Sequence, residues 1–143
     1  MVIVFADQFR GLDILRLLKM VILHDLGEAI HGDMPAPEQD PSDNKADQER
    51  ADFESLIRPL PVEFRKEFLG LWDDCENVRS PEAQISKAFD KLEILLQHTQ
   101  SKNLPNFDYA FNLVYGKKHT DATDLTRQIR ATIDAAIRER MQQ

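Results

Sequence analysis

Apolar residues recur along this chain at spacings of three and four, and no stretch of any length alternates apolar with polar as a half-buried strand does. With only 5 glycines in 143 residues, the chain reads as all-α. The pattern implies one compact bundle of about five to seven helices over residues 1–143. Val2 to Phe9 reads as the last turns of a helix, with Gly11 suited to its end. Asp13 can cap a long helix running to about Ile30. Ile14, Leu15, Leu17, Leu18, Val21, Ile22 and Leu23 cover most of its circumference, which predicts a central, buried helix.

A loop from Gly32 to Ser42 follows, holding Pro35, Pro37 and Pro41. An acidic helix is expected from about Asn44 to Leu60, turning Phe53, Leu56 and Ile57 inward. Pro61 suits the first turn of a helix through Asp74, in which Phe64, Phe68, Leu71 and Trp72 read as core. Ser80-Pro81-Glu82 marks a clear helix start, carrying Ile85, Ala88, Phe89, Leu92, Leu95 and Leu96 to about Thr99. Phe107 to Tyr115 reads as a short helix, and Asp121 to Arg140 as a final amphipathic one.

Composition narrows the functional classes. There are 18 Lys plus Arg against 25 Asp plus Glu, a formal net charge of −7. That balance argues against non-specific binding to DNA or RNA. A single cysteine, Cys75, excludes a disulfide framework and any cysteine-based zinc cluster. The apolar opening, Met1 to Ala6, lacks a basic lead and a cleavage site, and Asp7 interrupts it. The longest apolar stretch, Ile14 to Leu23, contains Arg16 and Lys19 and is too short to span a bilayer. A cytoplasmic protein without membrane partners is the expectation.

The informative segment is His24-Asp25-Leu26-Gly27-Glu28-Ala29-Ile30-His31-Gly32-Asp33. It places three carboxylates and two imidazoles at the end of the most apolar helix. Charges there are costly unless paired, and a divalent ion is an efficient partner. His24 and Glu28 are four apart and Asp25 and Glu28 three apart, so each pair would be neighbours on a continuing helix. His31, His98 and His119 read as helix-end, surface and loop residues, none placed to join His24 at one ion.

This segment resembles the signature of HD-domain metal-dependent phosphohydrolases, and more narrowly the branch of bacterial 5′-deoxynucleotidases. Lys87-Ala88-Phe89-Asp90-Lys91-Leu92-Glu93 resembles the second motif of that branch. The resemblance covers about Val2 to Gln100. It implies an HD-type helical bundle, with His24, Asp25 and Asp90 as ligands of one divalent ion, Mn²⁺, Co²⁺, Zn²⁺ or Mg²⁺. It makes Glu28 the acid/base residue acting on the attacking water, and Asp33 a substrate-side carboxylate. Lys87 could contact a phosphate or pair with a carboxylate. The implied activity is hydrolysis of nucleoside 5′-monophosphates by a homodimer. The alternatives are a non-catalytic HD-like binding or oligomerisation module and an HD phosphodiesterase acting on another nucleotide. The family's first ligand is a histidine on the preceding helix. Met1 to Phe9 contains none, so the resemblance implies an HD domain shortened at its N-terminus.

Overall fold

The computed structural model describes residues 1–32 and 45–142. Among them the chain is helical, without strands: α1 (Ile14–His24), α2 (Lys45–Ile57), α3 (Val62–Asn77), α4 (Pro81–Gln100), α5 (Tyr109–Val114), α6 (Lys117–Thr120) and α7 (Asp124–Arg140). The all-helical expectation holds. Several boundaries move, each for a local reason.

The opening segment is not a helix end. It forms turns and a short 3-10 helix, Ala6–Gln8, whose Phe5 and Phe9 pack their rings on Phe89 of α4. Asp13 caps α1 as expected, its side chain accepting from the Arg16 amide at 2.9 Å. The Asp13 amide donates to Glu82 at 3.0 Å, which fastens the start of α1 to the start of α4. α1 ends at His24 rather than Ile30, and the chain tightens into a 3-10 helix, Asp25–Glu28.

Nor is α1 buried all round. Leu17, Met20 and Leu23 are buried, but Leu15 and Ile22 are 65% and 66% exposed. Two cores meet at this helix. One joins Leu17 to Ile85, Phe89, Leu92 and Leu95 of α4 and to Ile133 and Ile137 of α7. The other joins Met20 and Leu23 to Phe53 and Ile57 of α2, Leu71 and Trp72 of α3 and Ala83. Leu56 and Phe64, expected inside, are 41% and 50% exposed.

Ser80 and Pro81 start α4 as the sequence implies, with the Ser80 hydroxyl accepting from the Ala83 amide at 3.1 Å. α3 runs three residues past Asp74, to Asn77. α7 begins at Asp124, because Thr123 and Thr126 close a reciprocal capping box there. A turn and bend at residues 121–123 separate it from α6. No helix among the described residues is long and apolar enough to cross a membrane.

Asp74 joins three helices. Its carboxylate accepts from Arg16 of α1 at 2.5 Å and from the Ser80 amide at 2.9 Å, where α4 starts. Burial pushes this carboxyl up, but the hydrogen bonds from Ser80 and Arg16 outweigh it and hold the group below its ordinary 3.8. A depressed folded pKa contributes stability that is full above about pH 4 and lost as pH falls through the lower folded value. Asp74→Ala should cost about 2–3 kcal/mol at neutral pH. It should also flatten the loss of stability below pH 4, and urea denaturation across pH 2–7 measures both effects.

Candidate functional site

The end of α1 and the middle of α4 meet at a cavity of about 150 Å³ lined by His24, Asp25, Ser86, Phe89, Asp90 and Glu93. Met1, Val2 and Val21 complete its wall. His24, Asp25 and Asp90 therefore come from two distant parts of the sequence to one place. Helical period explains Asp90. Phe89 and Leu92 point into the core, and Asp90, between them, falls at its edge with a 26% exposed side chain.

Both ring nitrogens of His24 are engaged. Nδ1 lies 2.9 Å from Asp25 Oδ1, and Nε2 lies 2.9 Å from Glu76 Oε1 and 3.1 Å from Lys87 Nζ. Burial lowers the His24 pKa, but the hydrogen bonds to Asp25 and Glu76 prevail and raise it to about 9. Burial likewise pushes Glu76 up, and His24 with Lys87 brings it down to about 2. Lys87 donates to Glu76 at 3.1 Å, one of the carboxylates near it.

Glu76 is a residue the sequence reading missed. Its signal was the length of α3, since a helix ended at Asp74 leaves Glu76 in a loop, whereas the continued helix carries it to His24. The histidines read as bystanders are also better anchored than expected. His31 Nδ1 lies 2.5 Å from Asp52, His98 Nδ1 lies 3.1 Å from Asn112, and His119 sits half-buried on α6.

Glu28 is placed differently from the expectation. The turn to 3-10 geometry breaks the four-residue helical relation of Glu28 to His24. Glu28 does not line the cavity, and Lys45 Nζ of α2 approaches it at 3.7 Å. Gly27 makes this turn possible. A Cβ there would stand 3.1 Å from Trp72 Nε1 and 3.4 Å from the Glu49 carbonyl oxygen, so the backbone packs directly on α3 and α2. Asp33 lies outside the described residues.

The fit to a metal ion is partial in placement and good in chemistry. Among the described residues, no three His, Cys, Asp or Glu side chains converge closely enough to hold an ion as they stand. Yet the donors sharing the cavity are an imidazole and carboxylates, the set that suits a borderline-to-hard divalent ion. Asp90 also carries a buried oxygen, Oδ2, that makes no hydrogen bond, although Lys91 Nζ lies 3.0 Å away. The Lys91 ammonium is the cation beside that oxygen, which leaves the rest of the carboxylate to the cavity.

The HD domain family profile matches residues 1–130. The chain belongs to the HD-domain family. This HD domain is 31% identical to 5′-deoxynucleotidase HDDC2 of Mus musculus over 91 residues, covering 64% of the chain and 46% of the relative. It is 30% identical to the protein of the same name from Bos taurus over 106 residues, 74% of the chain and 51% of the relative. The Dictyostelium discoideum protein of that name is 30% identical over 101 residues, 71% of the chain and 53% of the relative. The HD domain thus spans about half the length of the curated relatives it matches. No solved structure matches it significantly.

Gly27→Val should disturb the turn of this HD domain from inside. Its branched side chain must displace the Trp72 indole or the α2 backbone, at a cost of about 1–3 kcal/mol. Trp72 is the single tryptophan, so its fluorescence in urea titrations reports the change without a label.

Proposed function

We propose that this HD domain is a metal-dependent phosphohydrolase acting on nucleoside 5′-monophosphates, releasing nucleoside and phosphate. One observation carries the reading: His24 and Asp25 at the end of α1 share a cavity with Asp90 from the middle of α4, within a chain of the HD-domain family. The relatives named 5′-deoxynucleotidase support the monophosphate as substrate class.

In this proposal His24, Asp25 and Asp90 hold one divalent ion, Mn²⁺, Co²⁺, Zn²⁺ or Mg²⁺. When bound, such an ion supplies positive charge to a phosphoryl oxygen and lowers the pKa of water. The other steps belong to side chains. Glu28, on the same 3-10 turn as Asp25, accepts the proton of the attacking water at its carboxylate. Asp33 contacts the sugar side of the substrate. Lys87, held beside His24 by Glu76, offers its ammonium to the phosphate. A net charge of −7 does not repel the substrate dianion from the site, because an ion there dominates the local field. The same balance disfavours nucleic-acid partners, and we read the chain as one domain acting in the cytoplasm as a homodimer.

The test is phosphate release from a panel of ribo- and deoxynucleoside 5′-monophosphates with Mn²⁺, Co²⁺ or Mg²⁺. Glu28→Ala should reduce kcat by about 10²–10⁴-fold. Asp90→Ala should abolish the metal-stimulated rate. Turnover that survives both substitutions overturns these roles.

A further inference from the structure

Through Lys91, Asp90 is connected to a part of the chain outside both motifs. Its Oδ2 is buried and has no hydrogen bond, so the exposed 26% of its side chain lies elsewhere, toward the cavity it lines with His24 and Asp25. The group against that buried oxygen is the ammonium of Lys91, at 3.0 Å. Lys91 is itself held, with only 20% of its side chain exposed.

Two contacts hold Lys91. Its Nζ stands over the Tyr115 ring, 5.3 Å from the centroid, where a cation meets the negative face of the ring. Gly116 lies flat against its stem. A Cβ on Gly116 would fall 2.8 Å from Lys91 Cβ and 3.0 Å from Cγ, and the φ of +65° at Gly116 is left-handed. The space and the backbone both require glycine there.

The turn is anchored in its own right. The Arg130 side chain of α7, 6% exposed, donates to the carbonyl oxygens of Tyr115 at 2.7 Å and of Asn112 and Leu113 at 2.9 Å. Its Nε is paired with Asp134 at 2.6 Å. A continuous series of contacts therefore runs from α7 through Arg130, Tyr115-Gly116 and Lys91 to Asp90.

We propose that Lys91 is the positioning residue for Asp90, and that the Tyr115-Gly116 turn is the clamp that holds Lys91 in place. The proposal rests on the reading of Asp90 as an ion ligand. It makes the C-terminal helices part of the site, because they fix which carboxylate oxygen faces the cavity. Lys91 has two opposing effects on an ion at Asp90. Its charge repels the ion, and its contact orients the ligand. The clamp predicts that orientation outweighs repulsion.

The experiment titrates Mn²⁺ into the full 143-residue chain, with free Mn²⁺ followed by electron paramagnetic resonance. Lys91→Met and Gly116→Ala should each weaken binding by about 10–100-fold, as loss of a partner to a ligating carboxylate does. Lys91→Arg keeps stem and charge and should bind close to the parent. Gly116→Ala, which leaves Lys91 and Asp90 intact, keeps the test decisive should Lys91→Met fail to fold. An unchanged or tighter affinity in Lys91→Met, or failing that in Gly116→Ala, overturns the proposal, since Lys91 would then act only as a competing charge.

Two further measurements separate the clamp from the reading beneath it. Equal Mn²⁺ binding by parent and Asp90→Asn would sink Asp90 as a ligand, and with it the positioning role. Lysine-ammonium NMR of the ion-free protein tests the clamp alone. The Lys91 ammonium should be restricted in the parent and freed in Gly116→Ala and Asp90→Asn. An ammonium as mobile in the parent as those of exposed lysines would overturn the clamp whatever the metal result.

Discussion

The packing of α1 along α4 is the contact on which the candidate site depends. Leu17 of α1 is fully buried, in one core with Ile85, Phe89, Leu92 and Leu95 of α4. Burying each such side chain is worth about 1.5–3 kcal/mol, whereas an exposed ion pair contributes about 0–1 kcal/mol. Apolar contact therefore sets where the two helices lie, and the charged groups at their meeting point can only adjust within that frame. The end of α1 carries His24 and Asp25. Asp90 sits one position off the apolar stripe of α4. Their shared cavity follows from the register of that packing.

The same frame shows how an acidic chain manages a concentration of charge. Glu76, His24 and Lys87 form one compensated cluster at the α1–α3–α4 junction, in which hydrogen bonding overcomes the burial of each carboxylate and imidazole. Lys91 answers Asp90 one turn further along α4. Farther down α1, the Asp74 carboxylate receives Arg16 and the Ser80 amide. Each buried carboxylate at these helix junctions thus has a cation beside it. That arrangement limits the desolvation penalty that would otherwise work against the packing.

The distance between sequence reading and structure is greatest where backbone geometry changes class. Residues 24 to 28 carry helical spacing, and nothing in their composition distinguishes a continued α-helix from a 3-10 turn. Gly27 was the available signal. Its meaning depends on Trp72 standing 3.1 Å from where a Cβ would be, and that neighbour comes from another helix. Glu76 was legible as a charged residue and not as the partner of His24, because pairing across helices depends on register. The exposure of Leu15 and Ile22 has the same origin. Periodicity says which residues share a face and is silent on how many faces a neighbour covers.

The sequence by itself determined the helical class, the α4 cap at Ser80-Pro81, the Asp13 cap of α1 and the two motifs that mark an HD domain. These are local properties, written in spacing, capping chemistry and residue identity within a few turns. Tertiary structure alone decided that Glu28 turns toward α2 and that Tyr115 and Gly116 close on Lys91. Those are contacts between residues far apart in the chain. They are fixed by which apolar faces bury one another, a competition among all the helices at once that no local pattern encodes.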